Sequence, residues 1–132
     1  MAVVSVRYIV QDIEAAVAFY TAQLGFRVEM NQAPAFAILA LGDLRLMLNT
    51  PFGPGGAAQA MPDGRRPEPG GWNRIRVEMD DLEAAVEKLR AAGVKFRNDI
   101  VKGFGGTQIL VDDPAGNCVE LFPAAKENLA GC

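Results

Sequence analysis

Apolar and polar residues alternate over residues 4–10, and the period then changes. The alternation is typical of a strand with one buried face. From residue 13 the apolar residues recur every three or four positions, as on one side of a helix. They are Ile13, Ala16, Val17, Tyr20 and Leu24. Asp12 is a good N-cap, and Gly25 stands where a left-handed C-cap is needed. The pattern therefore predicts a strand followed by a helix.

The same pattern returns in the second half of the chain. The segment D-I-E-A-A-V at residues 12–17 reappears as D-L-E-A-A-V at residues 81–86, an offset of 69 positions (81 − 12). Asp81 is again an N-cap, and Gly93 matches Gly25 once one deletion is allowed. The apolar face of this second helix consists of Leu82, Ala85, Val86 and Leu89. The matching flanks indicate an internal duplication.

Each helix is followed by three predicted strands. In the first copy these span 26–31, 35–41 and 44–49, and Gly42–Asp43 forms the turn of a hairpin. In the second copy they lie near 94–99, 106–112 and 117–123, with the turn-forming segment DDPAGN at 112–117. Each copy has the order βαβββ, so the predicted fold class is α+β, built from two tandem modules.

This pattern sets the predicted boundaries. Module one covers residues 1–49, module two covers residues 72–123, and a C-terminal tail covers residues 124–132. Residues 50–71 between them are rich in proline and glycine and have no periodicity, which predicts a long linker. Two interpretations of the linker remain open, a lid over a binding site and a plain crossing between modules.

Composition removes several kinds of chemistry. The 132 residues include no histidine, which excludes Ser-His-Asp and Cys-His catalysis, histidine-containing zinc sites and a histidine general base. Thirteen basic and 16 acidic residues give a net charge of −3, which argues against a nucleic-acid-binding surface. Two cysteines, Cys118 and Cys132, are too few for a disulfide framework.

The chain shows no membrane or export signal. No apolar run reaches the length of a membrane span, and MAVVSVRYIV has no charged leader before its apolar residues. We expect a soluble, cytoplasmic protein.

Three segments together resemble the vicinal oxygen chelate superfamily, the group of glyoxalases, bleomycin-resistance proteins and extradiol dioxygenases. They are VQDIEAAVAFYTAQLGFRV at 10–28, MDDLEAAVEKLRAAGVKF at 79–96 and DDPAGNCVELF at 112–122. The resemblance covers nearly the whole chain. It implies paired βαβββ modules whose strands form a cup-shaped mixed sheet around a cavity, and a homodimer.

Enzymes of this superfamily usually hold a divalent metal in the cup through His, Gln and Glu. The resemblance places two of these ligand positions on the first strands, at Ser5 and Arg74, and one at Glu120 on the last strand. Aligning GDLRL with GNCVE puts the fourth at Leu46. Arginine has no lone pair to give, and leucine is apolar, so this set binds metal poorly. We therefore expect no metal cofactor.

Strand alternation assigns the residues that line the cup. Ser5 and Arg7 of the first strand face it, as do Arg74, Arg76 and Glu78 of the fifth. Leu44, Leu46 and Leu48 form an apolar wall, and Cys118, Glu120 and Phe122 share the cup face of the last strand. The predicted ligand-binding residues are Ser5, Arg7, Leu46, Trp72, Arg74, Arg76, Glu120 and Phe122.

This lining suits a small molecule with an apolar body and a polar or anionic group. The arginines would hold the anionic group, and Trp72 would stack on a planar body. A purely structural interpretation also stays open, in which Arg74 neutralises Glu120, Arg76 pairs with Glu78 and Trp72 packs in the core. Cys118 has no evident base and is interpreted as a buried structural thiol.

The predicted function is metal-free binding of a small molecule, as in the drug-sequestering members of the superfamily. The alternative is a superfamily enzyme, a lyase, isomerase or dioxygenase, with Glu120 as the catalytic residue and an atypical metal site or none. A third possibility is a partner-binding module with a collapsed cup. The sequence does not identify the ligand.

Overall fold

The computed structural model describes residues 4–104 and 106–124. The chain divides into two compact units. Of the described residues, the first unit contains 4–71 together with 114–117, and the second contains 72–104, 106–113 and 118–124. The tail predicted at 124–132, apart from Ala124, lies outside the described residues, as does Cys132.

The first module is a four-stranded mixed sheet with one helix. Its elements are β1 (Val4–Ile9), α1 (Ile13–Leu24), β2 (Arg27–Gln32), β3 (Phe36–Leu41) and β4 (Leu44–Asn49). The strand order is β1-β4-β3-β2, with β1 parallel to β4 and the other pairs antiparallel. Strands β2, β3 and β4 therefore begin and end within one residue of their predicted bounds.

Helix α1 begins and ends at the two residues that the sequence indicated. The Asp12 carboxylate accepts a hydrogen bond from the Ala15 backbone N–H, and Gly25 adopts a left-handed conformation with φ of 77°. The helix packs on β2, β3 and β4. Its buried residues are Ile13, Ala16, Phe19, Tyr20 and Leu24. The core of this module thus lies between α1 and one face of the sheet.

The second module repeats this arrangement. Its elements are β5 (Ile75–Met79), α2 (Leu82–Ala91), β6 (Val101–Gly103), β7 (Gly106–Asp112) and β8 (Cys118–Pro123). The strand order is β5-β8-β7-β6, with β5 parallel to β8. Asp81 caps α2 by accepting from the Ala84 N–H. The predicted α+β fold class and the βαβββ duplication are confirmed.

The strand predicted at 94–99 is wrong. In this stretch only Phe96 forms an isolated bridge, to Val111, and the regular strand β6 starts later, at Val101. The segment runs beside β7, since the Arg97 N–H donates to the Leu110 carbonyl at 2.9 Å. The Asn98 side chain then accepts from the Leu110 N–H at 2.9 Å, in place of a backbone carbonyl. This substitution interrupts the ladder, which explains the late start of β6.

Strand registers correct the predicted face of β4. Leu46 pairs with Val6 on β1, and Arg7 pairs with Met47. Side chains of paired residues lie on the same face of a sheet, so Leu46 shares the helix-covered face with Val6. It is 0% exposed. The prediction that Leu44, Leu46 and Leu48 face the same way as Arg7 is therefore wrong.

The duplication gives the reason for this one-residue error. Arg76, which corresponds to Arg7 (7 + 69), pairs with Glu120 on β8. The counterpart of Glu120 in module one is thus Met47. Two residues, 42 and 43, separate β3 from β4, but five, 113–117, separate β7 from β8. Aligning the turns by their glycines shifted the register by one position.

The linker is held together by Arg66. Its Nη1 donates to the carbonyl oxygens of Pro51, at 3.0 Å, and Ala58, at 3.3 Å, and its guanidinium carbon lies 5.2 Å from the centre of the Phe52 ring. A short 3-10 helix occupies Gly56–Ala58. Among the described residues, no helix is long and apolar enough to cross a membrane.

Candidate functional site

Glu120 lies in the middle of β8 and is 6% exposed. Both of its carboxylate oxygens are bonded to arginines. Oε2 accepts from Arg76 Nε at 2.7 Å, and Oε1 lies 3.0 Å from Arg74 Nη2. The register produces this contact, because Arg76 of β5 pairs directly with Glu120 in the parallel ladder. A nearly buried carboxylate is thereby bridged between two guanidinium groups.

Of the two ion pairs in the structural interpretation, Arg74–Glu120 and Arg76–Glu78, one is present and the other is not. The expected Arg74–Glu120 pair is present, and Arg74 also donates to the Trp72 carbonyl at 3.2 Å. The expected partner of Arg76 was Glu78, and this was wrong, since Arg76 bonds to Glu120. Two guanidinium groups share one carboxylate, so this group of three side chains carries a net charge of +1.

Phe122 lies beside Arg76 on the same face. The guanidinium carbon of Arg76 is 3.9 Å from the centre of the Phe122 ring, in cation–π contact. The alternation along β8 predicted this, because Glu120 and Phe122 are two residues apart. Arg74, Arg76, Glu120 and Phe122 are called the Glu120 cluster below.

Trp72 is not a core residue. It is 69% exposed, and the Arg97 guanidinium carbon lies 4.7 Å from the centre of its ring. Arg97 also forms an ion pair with the buried Asp112 of β7. The interpretation in which Trp72 packs in the core was therefore wrong. The ring of Trp72 is exposed, so its stacking on a planar ligand remains a prediction.

An open pocket of about 370 Å³ borders the Glu120 cluster. Arg76 and Glu120 line one part of it, and the remaining lining comes from β6 and β7. These remaining residues are Val101, Gly103, Gly106 and Gln108. The sequence prediction missed Gln108. Strand alternation could have identified it, because residues two apart on a strand share a face. Leu110 pairs with Glu120, so alternation places Gln108 on the same face.

Ser5 and Arg7, the two predicted site residues of β1, lie in the other unit. Both are exposed. Arg7 Nη1 donates to Asn49 Oδ1 at 3.0 Å, and its Nη2 lies 3.8 Å from Met47 Sδ. Asn49 and Met47 were missed by the sequence prediction because of the one-residue shift on β4.

The four positions where the superfamily places metal ligands do not fit a metal ion. With the register corrected they are Ser5, Met47, Arg74 and Glu120. A thioether and a guanidinium are poor partners for hard cations, and both oxygens of Glu120 are already engaged. Within residues 4–104 and 106–124, no three His, Cys, Asp or Glu residues come close enough together to hold a metal ion.

The thiol of Cys118 is not poised for nucleophilic chemistry. Cys118 is fully buried at the start of β8. Burial raises the pKa of its thiol above the ordinary value of about 9.0, although Arg97 and Arg74 act in the opposite direction. A thiol that stays protonated is a weak nucleophile.

Comparison with known proteins identifies the family. The model of the Glyoxalase/Bleomycin resistance protein/Dioxygenase superfamily matches residues 2–121. The chain belongs to this superfamily. A comparison with proteins of curated function found no match.

Solved structures of superfamily members share the fold. A member from Sphaerobacter thermophilus is 27% identical, with a TM-score of 0.73 over 94% of this chain and 98% of that one. Lactoylglutathione lyase from Agrobacterium tumefaciens is 20% identical, with a TM-score of 0.72 over 93% of each chain. TioX from Micromonospora sp. ML1 is 20% identical, with a TM-score of 0.71 over 93% of this chain and 98% of that one. At these levels of identity the last two show the fold alone.

Proposed function

We propose that this superfamily member binds a small organic anion with an apolar or aromatic body, and that it does so without a metal ion. The site is the Glu120 cluster and the adjoining pocket in module two. The observation that carries the proposal is the state of Glu120. The one carboxylate at the superfamily's metal-ligand positions is nearly buried and bridges two guanidinium groups.

The charge of the cluster favours an anionic ligand over a cation. Recruiting a metal ion would require Glu120 to give up its bonds to Arg74 and Arg76, and both cations would then repel the metal. An anion needs no such rearrangement. The side chain of Arg76 is about half exposed and borders the pocket, so its unused donors can bind a carboxylate or phosphate group.

The surroundings of Arg76 supply an apolar surface and a polar contact. Val101 and Gln108 line the pocket, and Gln108 offers both a donor and an acceptor. Phe122 is outside this lining, but its ring lies against the Arg76 guanidinium. Pockets for small molecules commonly combine a mainly apolar lining with a few polar groups that orient the ligand. We include in the proposal a homodimer, as the superfamily resemblance implies, and a cytoplasmic location, as the sequence led us to expect.

Catalysis by Glu120 is the alternative function. A general base must have an oxygen within reach of the proton that it removes. Here both oxygens of Glu120 already accept hydrogen bonds from Arg74 and Arg76, so neither is directed at a bound substrate. The geometry therefore supports binding better than acid–base catalysis.

A thermal-shift panel tests this proposal. The panel contains divalent metal chlorides, glycopeptide antibiotics, and aromatic and aliphatic carboxylates and phosphates. A ligand present at 100 times its dissociation constant adds about 2.7 kcal/mol to the free energy of unfolding. We expect stabilisation by an organic anion. Stabilisation by a metal alone would overturn the metal-free proposal and favour the enzyme.

A pair of arginine variants locates the site. Arg76→Gln should weaken binding of the stabilising anion about tenfold or more, since hydrogen bonds to charged groups contribute about 1.5–3 kcal/mol. Arg90→Gln is the matched control. Arg90 has similar side-chain exposure, 49% against 51%, one ion pair, to Asp99, and one aromatic neighbour, Phe96. Equal loss of binding in both variants would contradict a site at the Glu120 cluster.

A further inference from the structure

Arg7 in module one lacks the neutralising partner that its counterpart Arg76 has. Within the described residues, its guanidinium contacts only uncharged groups, the Asn49 amide oxygen and the Met47 sulfur. These contacts use two of the five N–H donors of arginine, so three remain. The duplication makes the contrast direct, because the position of Glu120 is occupied by Met47. Among the described residues, module one therefore presents a guanidinium with no carboxylate partner, whereas both guanidinium groups of the Glu120 cluster in module two are bonded to Glu120.

Asn49 fixes the orientation of this guanidinium. The Asn49 side chain is buried, and its Nδ2 donates to the Thr50 carbonyl at 3.0 Å. The amide oxygen is thereby turned toward Arg7 Nη1. A buried amide with both ends engaged holds the guanidinium in place before any ligand arrives, which reduces the entropy lost on binding.

A small pocket of about 180 Å³ lies against Arg7. Its walls are the start of β3 and the glycine-rich loop 53–58 of the linker. We define the Arg7 pocket by its lining of Arg7, Ala35, Phe36, Asn49 and residues 53–58. Apart from Arg7 and Asn49, the side chains here are Ala, Phe and Pro. The volume is below the roughly 300–1,000 Å³ of pockets for drug-sized ligands.

The loop that closes the Arg7 pocket is held at both ends. Arg66 bonds to the carbonyl oxygen of Pro51, two residues before the loop, and to that of Ala58, the last residue of the loop. Gln59 adds a hydrogen bond across the loop to the Gly55 carbonyl, at 3.2 Å. The pocket wall is therefore built by specific contacts.

We propose that the Arg7 pocket is a second anion site, which takes a small monocarboxylate with a short apolar or aromatic body. One cation without a carboxylate partner matches one negative charge, and the planar guanidinium fork matches a carboxylate. Phe36, Pro54 and the alanines cover the apolar part. The proposal is argued from residues of the first unit alone, so it can fail while the function proposed for the Glu120 cluster holds.

Benzoate is the test compound, and benzamide is its uncharged control of the same shape. Binding is followed by ¹H–¹⁵N NMR, through the backbone amides of Gly53, Gly55 and Gly56 and the side-chain amide of Asn49. We expect benzoate, and not benzamide, to shift these signals. Arg7→Gln should raise the dissociation constant at least about tenfold. Arg45→Gln is the control, since Arg45 lies on the same face of the sheet but is paired with Glu29.

Each outcome supports or overturns this site. Loss of the shifts in Arg7→Gln and their retention in Arg45→Gln supports it. No shift of these amides, or equal effects of benzamide, overturns it. Tighter binding of inorganic phosphate than of benzoate overturns the monocarboxylate assignment. Benzoate binding could also be abolished by Arg76→Gln and unchanged in Arg7→Gln. That result would refute the Arg7 pocket and leave the function proposed for the Glu120 cluster in place.

A second variant tests the same site if the Arg7→Gln protein does not fold. Ala57→Leu fills the Arg7 pocket without altering its charge, because Ala57 is part of the lining. It should weaken benzoate binding at least as much as the loss of Arg7. Unchanged binding in a folded Ala57→Leu protein would place benzoate elsewhere and overturn the assignment.

Discussion

At the scale of single residues, equivalent arginines in the two modules have different electrostatic surroundings. Arg7 and Arg76 occupy the same position in β1 and β5, and each lies beside the same two positions of the neighbouring strand. In module one these hold Met47 and Asn49, and in module two they hold Glu120 and Phe122. The second arginine of module two, Arg74, replaces Ser5 of module one (5 + 69). Three substitutions in the duplicated frame thus separate a lone guanidinium from a carboxylate that bridges two guanidinium groups.

Replacing Glu120 by glutamine separates a ligand-binding role from a metal or catalytic one. Glu120→Gln keeps the shape and one acceptor oxygen but removes the charge. We expect a folded protein whose free energy of unfolding is lower by about 1–2 kcal/mol, because part of the ion pair is solvent-exposed. Anion affinity should rise about tenfold, since a unit negative charge about 4 Å away at an effective dielectric of 20 opposes binding by up to about 4 kcal/mol.

Calorimetric titration of wild type and Glu120→Gln with the stabilising anion measures this change. The isosteric variant Gln108→Glu is the opposite control, because it adds a negative charge to the same pocket and should weaken binding. If Glu120→Gln instead abolishes anion binding, Glu120 contacts the ligand directly. If it abolishes turnover or metal binding, the enzyme alternative is correct.

The buried thiol of Cys118 predicts how stability depends on alkaline pH. Because burial raises its pKa, the native state holds the thiol proton more tightly than the unfolded state does. Below about pH 9 both states are protonated and the full contribution is present. As pH rises further, the unfolded state loses its proton first, so the free energy of unfolding falls.

Urea denaturation between pH 7 and about 10.5 checks this sign. The comparison is made in a Cys132→Ser background, so that Cys118 is the one thiol present. The stability difference between this protein and its Cys118→Ala variant should shrink above about pH 9. A difference that stays constant across the range would show that the thiol titrates alike in both states.

At the scale of elements, the helices were predictable and one strand was not. Both N-caps and the left-handed Gly25 follow from local chemistry, and the structure confirms them. The strand expected at 94–99 had the right apolar pattern, but one side chain changed the outcome. Asn98 accepts the bond that a backbone carbonyl would have taken, and alternation of apolar residues carries no signal for this event.

Removing this side-chain bond should cost stability. In Asn98→Ala, the N–H of Leu110, a buried residue, loses its acceptor, and the free energy of unfolding should fall by about 1–2 kcal/mol. The control is Asn31→Ala, whose side chain accepts from the Ala33 N–H in an exposed turn, where water can replace it. Chemical denaturation of both variants measures the difference. Equal losses would mean that the Asn98 bond has no special structural role.

At the scale of the whole molecule, the repeat was sufficient to predict the class of fold. Strand alternation and the superfamily resemblance together supplied the four residues of the Glu120 cluster. The absence of histidine and the arginine at position 74 indicate an atypical metal position from the sequence alone. Register could not be deduced in the same way, because the two modules differ in the length of one turn. That single difference placed Leu46 in the site instead of Met47 and concealed Asn49, a main contact of Arg7.

The linker between the modules could also not be interpreted from composition alone. Its proline and glycine content predicted irregular structure, but not that one arginine would bind it together. Arg66 contacts Pro51, Ala58 and Phe52, which are eight to 15 positions earlier in the chain. The side chain of its neighbour Arg65 pairs with nearby Asp63 at the surface. Adjacent arginines therefore have unequal roles.

This inequality yields a prediction about the linker as a unit. Arg66→Met removes both hydrogen bonds to the loop and should increase the rate of proteolysis within residues 50–71, with little change in the circular dichroism of the modules. Arg65→Met should leave the rate near that of wild type, because its ion pair is exposed and contributes at most about 1 kcal/mol. Limited proteolysis followed by mass spectrometry compares the rates of cleavage after Phe52, a site that both substitutions leave unchanged.

The same pair of variants tests whether the linker serves binding. If the loop 53–58 forms a wall of the Arg7 pocket, Arg66→Met should also weaken benzoate binding, since an ordered wall must then be re-formed at an entropic cost. Arg65→Met should bind as wild type does. Faster proteolysis of Arg66→Met with unchanged benzoate affinity would show that the linker is a crossing between modules, held in place for stability alone.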